Sequence, residues 1–153
     1  MGDLIFDEKE LMKNVYIALA VADGKKENGV LCDDPVRSPL VRQTLSEHAK
    51  RERNIFVVYA ENLVAPKTMK LMNKLEKEGN LIKRSQSQPG IGGAQRESIC
   101  YPIREYDAWA VVLQEPEKVH YVGLCHLTIP PLFNKKTMSV VPSRTENSLN
   151  SYY

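Results

Sequence analysis

The residues from Ile55 to Ala60, Ile-Phe-Val-Val-Tyr-Ala, are the stretch that most restricts how this chain can fold. They are apolar at every position, whereas a strand with one wet face alternates apolar and polar residues. A strand that is covered on both faces reads as a continuous apolar run, and such strands occur inside sheets that have helices on both sides. The sequence therefore predicts an α/β fold with a central strand at 54–60.

Helix signals flank this strand. Ser38-Pro39 combines a capping hydroxyl with a proline that suits the first helical position, and Pro66 begins a second helix that runs to residue 78 and ends at Gly79. Near the N-terminus, Asp7 and Glu10 form the pattern of a capping box. We interpret the apolar run 15–22 that follows as a buried helix, with a strand over part of it as the alternative.

The remaining segments complete the predicted fold. Residues 30–32 and 81–82 read as short strands, and residues 108–129 read as an antiparallel hairpin with its turn at 115–117. The sequence thus predicts one α/β domain over 1–132, with helices packed on a mixed sheet and this hairpin at its C-terminal end. Residues 83–97 lack apolar periodicity and predict a flexible loop, and 133–153 predict a disordered tail.

The order of strand, proline-started helix and short strand over about Asn54 to Ile82 resembles the ribosomal L7Ae/L30e-like fold. By analogy, this resemblance implies a three-layer arrangement and favours RNA as a ligand.

Composition limits the classes of function. A net charge of +2 with 26% charged residues gives the whole chain no strong attraction to nucleic acid. The three cysteines are odd in number and far apart, which argues against a disulfide scaffold and favours the reducing cytoplasm or nucleus. The longest apolar run falls well short of the ~20 residues of a membrane helix, so we expect no membrane partner.

The sharpest local motif is the segment 84–89, Arg-Ser-Gln-Ser-Gln-Pro. With Arg84, Ser85, Ser87 and Pro89 it resembles the Arg-Ser-x-phosphoSer-x-Pro ligands of 14-3-3 proteins. Phosphorylation of Ser87 would add about −1.5 to −2 charges for an arginine cluster to bind. The resemblance implies a 14-3-3 protein as partner when Ser87 is phosphorylated.

A second feature is a basic stripe on the helix predicted at 66–78. At about 100° per residue, four lysines fall within roughly a quarter of the helix circumference. These are Lys67, Lys70, Lys74 and Lys77. The stripe suits phosphates or an acidic partner, although a solvated helix face is the more common explanation of such a pattern.

Motifs for catalysis, cofactors and metals are lacking in the sequence. His120 and His126 would lie roughly 20 Å apart on an extended strand, too far for one metal ion. The glycines of 90–93 stand in the predicted loop rather than between a strand and a helix, so we interpret them as a linker. We therefore hypothesise a non-enzymatic intracellular regulatory or adaptor protein. The alternatives are an RNA-binding module that uses the lysine stripe and a small acyltransferase-like or nucleotide-using enzyme.

Overall fold

A computed structural model describes residues 7–141 and shows a four-stranded parallel sheet with a separate antiparallel hairpin. In chain order the helices and strands are α1 (Glu8–Leu11), β1 (Val15–Val21), β2 (Gly24–Glu27), β3 (Val30–Asp33), α2 (Arg37–Lys50), β4 (Asn54–Tyr59), α3 (Pro66–Lys77), β5 (Leu81–Ser85), α4 (Gly90–Glu105) and β6 (Ala110–Leu113). Three short 3-10 helices follow at Val119–Gly123, Cys125–Thr128 and Pro130–Phe133.

The strand order of the main sheet is β5-β4-β1-β6, and all three pairings are parallel. The predicted α/β fold with an inner strand at 54–60 is confirmed, because β4 lies between β5 and β1. Phe56, Val57 and Val58 of this strand are fully buried. The strands β5 and β6 form the two edges of the sheet.

Helices cover both faces of the sheet. Successive side chains of a strand point to opposite faces, so each strand packs against both helical layers. On one face, Leu19 and Val57 pack with the buried sides of α2 and α3 and with the 3-10 segment. On the other face, Phe56 and Val58 pack against α4, and Tyr16 stacks on Tyr106 with ring centroids 5.9 Å apart. The result is a three-layer arrangement in which, of the helices within residues 7–141, α4 covers the second face.

The helix interpreted at 15–22 is wrong, because this run forms the inner strand β1. Asp7 does cap a helix, but α1 is one turn long, and Asn14 takes a left-handed φ of 58° directly before the strand. An all-apolar run has no period that separates a buried helix from a buried strand. Val15, Ile17 and Leu19 are fully buried, and both sides of β1 are paired.

The C-terminal antiparallel hairpin at 108–129 and the mixed sheet are also wrong. Of this segment only β6 is a strand, and it pairs in parallel with β1. The chain then folds over α2 in 3-10 turns, where Val122, Cys125 and Ile129 are buried at spacings of three and four residues. That spacing is helical in character, whereas an alternating strand would place Val122 on the face opposite Cys125 and Ile129. The antiparallel hairpin lies instead at β2–β3.

Most of the flexible loop predicted at 83–97 is regular structure, and residues 86–89 form the short connection within it. Residues up to 85 belong to β5, and α4 begins at Gly90. Gly90 has a φ of 80°, so its lack of a Cβ eases the sharp entry into the helix. The predicted tail, 133–153, begins with the last residue of the final 3-10 helix, and its residues 142–153 lie outside the described part.

The predicted helix at 66–78 and the short strands at 30–32 and 81–82 are confirmed, with β5 extending to Ser85. Pro66 occupies the start of α3, and Gly79, with a φ of 83°, follows its last turn. The strand–helix–strand order on which the L7Ae/L30e analogy rests is therefore present as β4–α3–β5.

Candidate interaction surface along the β6 edge

The chain order places a topological switch point between β1 and β6. From β1 the chain moves outward to β4 and β5, and α4 then carries it across to the far side of β1. This is the doubly wound arrangement, in which ligands commonly bind beyond the carboxyl ends of the strands at the switch point. The side chains at these ends therefore decide what chemistry the fold offers.

Asp23, which follows β1, is committed to holding α3. Its Oδ1 accepts a hydrogen bond from the backbone N–H of Ala65 at 3.1 Å, and its Oδ2 accepts one from the Thr68 hydroxyl at 2.5 Å. The side chain is fully buried. A carboxylate at the start of a helix satisfies N–H groups that have no partner within the helix. Asp23 therefore has a structural role, since both of its carboxylate oxygens are hydrogen-bonded within the protein.

Gln114, which follows β6, belongs to a buried network. Its Oε1 lies 2.7 Å from Nε2 of His48, whose Nδ1 lies 3.1 Å from an Nη of Arg53. Because an arginine only donates, Nδ1 accepts and Nε2 carries the proton. Burial, reinforced by the charges of Arg53 and Arg51 and opposed by the hydrogen bond to Gln114, lowers the pKa of His48 to about 4. A neutral imidazole therefore ties α2 to the end of β6.

An apolar groove runs along β6. It has a volume of about 660 Å³. It is lined by Ile99, Ile103, Trp109, Ala110, Val111, Val112, Leu113, Tyr121, Thr128, Ile129, Leu132, Thr137, Met138, Ser139, Val140 and Val141. One wall comes from α4, the other from the 3-10 segment and residues 137–141, and none of these lining residues is charged. We call this feature the β6 groove.

The rim of the β6 groove exposes large apolar side chains. Trp109 is 45% exposed, Leu113 43% and Ile103 50%. Trp109 stacks on Phe133 with ring centroids 5.5 Å apart, and its indole N–H donates to the carbonyl of Lys13 at 3.2 Å. The indole is thus held in place with one side open to water, which is the arrangement of an aromatic anchor at an interface.

The backbone along this groove is also open on one side. β6 pairs with β1, and within residues 7–141 no strand pairs with its other side. An edge strand presents a row of N–H and C=O groups on which a further strand can form, and proteins usually block such edges with charge, proline or a covering element. The sequence of β6 is Ala-Val-Val-Leu, which has none of these blocking residues.

The predicted docking segment is not extended and free. Arg84 lies in β5, with its guanidinium 4.2 Å from the ring centroid of Tyr101 and an ion pair to Glu105 at 2.5 Å. Ser87 and Pro89 are exposed but stand in the tight connection between β5 and α4, and Ser85 ends the strand. Binding in a 14-3-3 groove would require this connection to open. Phosphorylation of Ser87 stays a prediction.

Glu97 is the residue that closes this connection, and sequence reasoning missed it. Its carboxylate accepts the Ser87 hydroxyl at 2.5 Å and the N–H groups of Ser87 and Gln88 at 3.1 and 2.6 Å. Burial raises the pKa of Glu97, but these hydrogen bonds together outweigh it and hold the pKa below its usual value. A phosphate on Ser87 would meet this carboxylate. The glycines 90–93, interpreted as a linker, begin α4 beside it.

All four lysines of the stripe, Lys67, Lys70, Lys74 and Lys77, are exposed on α3. Lys74 lies 4.0 Å from Glu78, so acidic side chains share this face. The opposite side of the helix carries Met72 and Leu75 into the core. The stripe is present as a surface, and its use for nucleic acid stays a prediction.

The candidate metal ligands of the C-terminal region lie in the 3-10 turns. His120 is exposed, and burial raises the pKa of the Cys125 thiol. Within residues 7–141, no three side chains of His, Cys, Asp or Glu come close enough together to hold a metal ion.

Sequence reasoning also missed the β6 groove. The uncharged run 108–113 was a visible signal. Its assignment to a hairpin, however, predicted that residues 118–129 would pair with it and cover the edge that the structure leaves open. The groove depends on α4 and residues 137–141 meeting β6 from distant parts of the chain, which no local pattern indicates.

Comparisons of this chain with protein-family models, with curated proteins and with solved structures found no match. Across residues 7–141, every helix is too short or too polar to cross a membrane. The chemistry of the surface is therefore the basis for assigning a function.

Proposed function

We propose that this chain is a non-enzymatic regulatory or adaptor protein that binds protein through the β6 groove. The observation that carries the proposal is an uncharged edge strand at the floor of an apolar groove, with one side that no strand within residues 7–141 pairs. Exposed apolar patches of this kind are typical of protein interaction sites. An intracellular location, in the cytoplasm or nucleus, rests on the spacing of the cysteines in the sequence.

The groove favours an extended apolar segment as the bound element. An added strand would satisfy the free backbone groups of β6, and its alternate side chains would enter the groove beside Leu113 and Trp109. The polar side chains at the switch point support a binding role as well. Asp23 and Gln114 already have protein partners, which leaves the apolar edge as the surface with unmet interactions.

Peptide selection tests the proposal. A random twelve-residue display library would be selected on the wild-type chain and counter-selected on Leu113→Lys, at concentrations too low for the chain to associate with itself. We expect peptides with alternating apolar residues whose affinity falls at least about tenfold on Leu113→Lys, because the new ammonium must lose water to be covered. Trp109 is the only tryptophan, so its emission reports binding directly.

Ser85→Lys is the matched control, because it adds the same charge to the exposed end of the other edge strand. Selected peptides should bind this variant as tightly as the wild type. Failure to enrich any peptide, or enrichment that ignores Leu113→Lys, would refute the proposed function.

The exposed lysines of α3 support RNA binding as a second candidate function. Binding through phosphate contacts would weaken linearly in a log–log plot against salt. Replacement of Lys70 and Lys74 by Gln should flatten that slope by about one unit per contact. Titration of fluorescent single-stranded and hairpin RNA at several salt concentrations measures the slope, and binding that ignores both lysines would exclude this candidate.

A further inference from the structure

We propose that the protein seated on the β6 groove is a second copy of this chain, joined through antiparallel pairing of β6 with its own symmetry mate. This inference rests on the proposed function, since it names the partner for the same groove. The pairing would turn two four-stranded sheets into one continuous eight-stranded sheet with a twofold axis at its centre.

Charge favours self-association at this surface. A twofold interface brings each residue against itself or a near neighbour of the other copy, so a charged lining would repel. The lining residues of the groove are uncharged, and the net charge of the whole chain is only +2. A lining without charge also offers little to a charged partner.

The pattern of side chains along β6 selects one register. Ala110 and Val112 belong to the core cluster on the α2 side of the sheet, so Val111 and Leu113 point to the face that α4 covers. A twofold axis perpendicular to the sheet keeps equivalent faces together, and a centre at Val111 places Trp109 of one copy opposite Leu113 of the other. Aromatic side chains opposite aliphatic ones are favourable cross-strand pairs.

The exposed segment that forms one wall of the groove fits the same arrangement. Met138 is 96% exposed and Val141 85%, although both line an apolar groove. A second copy brought against β6 would cover these side chains together with Leu113 and the indole of Trp109. Their burial supplies the apolar area that edge pairing of a four-residue strand lacks on its own.

Analytical ultracentrifugation of the full chain tests the association. We expect a species of about 35 kDa, twice the 17.4 kDa chain, in concentration-dependent equilibrium with the monomer. Leu113→Lys should weaken dimerisation at least about 100-fold, because two desolvated ammonium groups would enter the interface. Ser85→Lys should leave it unchanged. Thermal unfolding confirms that both variants fold, as expected for substitutions at exposed positions.

Disulfide trapping tests the register. Residues directly opposite in an antiparallel pair have Cβ atoms about 4.5–5.5 Å apart, which small shifts bring within disulfide range. Val111→Cys should therefore form a covalent dimer on mild oxidation, and adding Leu113→Lys should prevent it. Ser85→Cys, in the same background of three native cysteines, should form no covalent dimer.

Three results would overturn the inference: a wild-type chain that remains monomeric up to about 100 μM, a dimer that persists in Leu113→Lys, or equal trapping at residues 85 and 111. The peptide selection separates these outcomes from failure of the proposed function. If the chain is monomeric and still binds selected peptides through Leu113, the groove is a peptide-binding site and the proposed dimer is excluded.

Discussion

The two edges of the sheet have the same topological position and opposite chemistry. β5 carries Lys83 and Arg84, whose charges pair with Glu76 at 3.3 Å and with Glu105 at 2.5 Å. β6 carries no charge and ends in the exposed Leu113. Each strand has one paired side within the described residues, so only side chains distinguish the two edges.

This difference indicates which edge is adapted to water. Charged residues on an edge strand oppose pairing with another chain, because the charges would have to be desolvated or brought together. The ammonium group of Lys83 and the guanidinium group of Arg84 also lie over the aromatic rings of Tyr59 and Tyr101. β5 is thus protected by its own side chains, whereas β6 leaves its apolar surface for another molecule.

The ends of the two edge strands are anchored by different buried groups. The connection after β5 is closed by the ionised carboxylate of Glu97, and the end of β6 is held through Gln114 by the neutral imidazole of His48. The pKa values of both groups are lowered, so acid should weaken the anchors of both edges.

Acidification should have the largest effect, through His48. Its pKa is about 4 in the folded state and 6.5 in the unfolded reference, so the unfolded chain binds more protons between these values. The free energy of unfolding should therefore decrease as pH falls from about 6.5 to 4, by on the order of 3 kcal/mol in total. Urea unfolding at a series of pH values measures this loss.

The variant His48→Gln should be less stable at pH 7 but should lose this part of the pH dependence. The matched control is His120→Gln, which removes an exposed imidazole and should keep the wild-type slope. A slope that survives in His48→Gln would mean that another group controls the acid response.

The next largest effect concerns the β5 side. Glu97→Gln keeps the shape of the side chain but removes the charge that strengthens three hydrogen bonds, so we expect a loss of about 1–3 kcal/mol at pH 7. A lowered carboxyl pKa stabilises above the unfolded pKa, and the stabilisation disappears as pH falls through the folded pKa. The two chains should therefore converge in stability below pH 4.5, the usual value for Glu.

Glu105→Gln on the same helix provides the comparison for Glu97. Its partner Arg84 and Glu105 itself are each more than a third exposed, and exposed ion pairs contribute about 0–1 kcal/mol. Denaturant titration of both variants should rank Glu97→Gln well above Glu105→Gln. An equal loss in the two variants would contradict the role assigned to the buried carboxylate.

A smaller effect is expected from Ser87→Ala. This change removes one hydroxyl donor to Glu97 but leaves the two backbone N–H donors in place, so the expected loss is about 1 kcal/mol. Combination with Glu97→Gln should be less than additive, because both changes act on the same hydrogen bonds. A double-mutant cycle measured by urea unfolding gives this coupling, and strict additivity would exclude it.

The sequence alone predicts those elements of the fold whose local residue pattern is distinctive. β4 can be predicted because its apolar run is continuous. α3 can be predicted because Pro66 and Gly79 mark its ends. α4 cannot be predicted in this way, because the residues of its buried face show no hydrophobic periodicity. These residues are Ala94, Glu97, Ser98 and Pro102.

The sequence predictions for β1 and β6 were wrong for a different reason. The apolar run of β1 fits a buried helix as well as a strand, and only its pairing with strands on both sides decides the question. β6 was placed in the correct stretch, but its partner is about 95 residues away in sequence, as the register Val15 with Ala110 shows. The β6 groove shares this dependence on distant contacts, whereas the lysine stripe lies on one helix and was predictable.

The smallest change in stability should come from removing the charges of β5, and this change tests the comparison of the edges most directly. Lys83→Val with Arg84→Val replaces two ion pairs at the surface, in which the Lys83 side chain is 17% and the Arg84 side chain 38% exposed, by residues that favour strands. Ion pairs at the surface contribute about 0–1 kcal/mol each. The unfolding free energy should therefore change by less than about 1 kcal/mol, whereas β5 becomes an uncharged edge like β6.

We expect this double variant to form assemblies larger than the wild type, since each sheet then has two edges able to pair. Sedimentation velocity at matched concentrations measures the change, and Lys70→Val with Lys74→Val removes the same charge from α3, away from any edge. Adding Leu113→Lys should limit the assemblies to those joined through β5. If the β5 and α3 variants behave alike, loss of net charge explains the association, and the charges of β5 have no special role in protecting the edge.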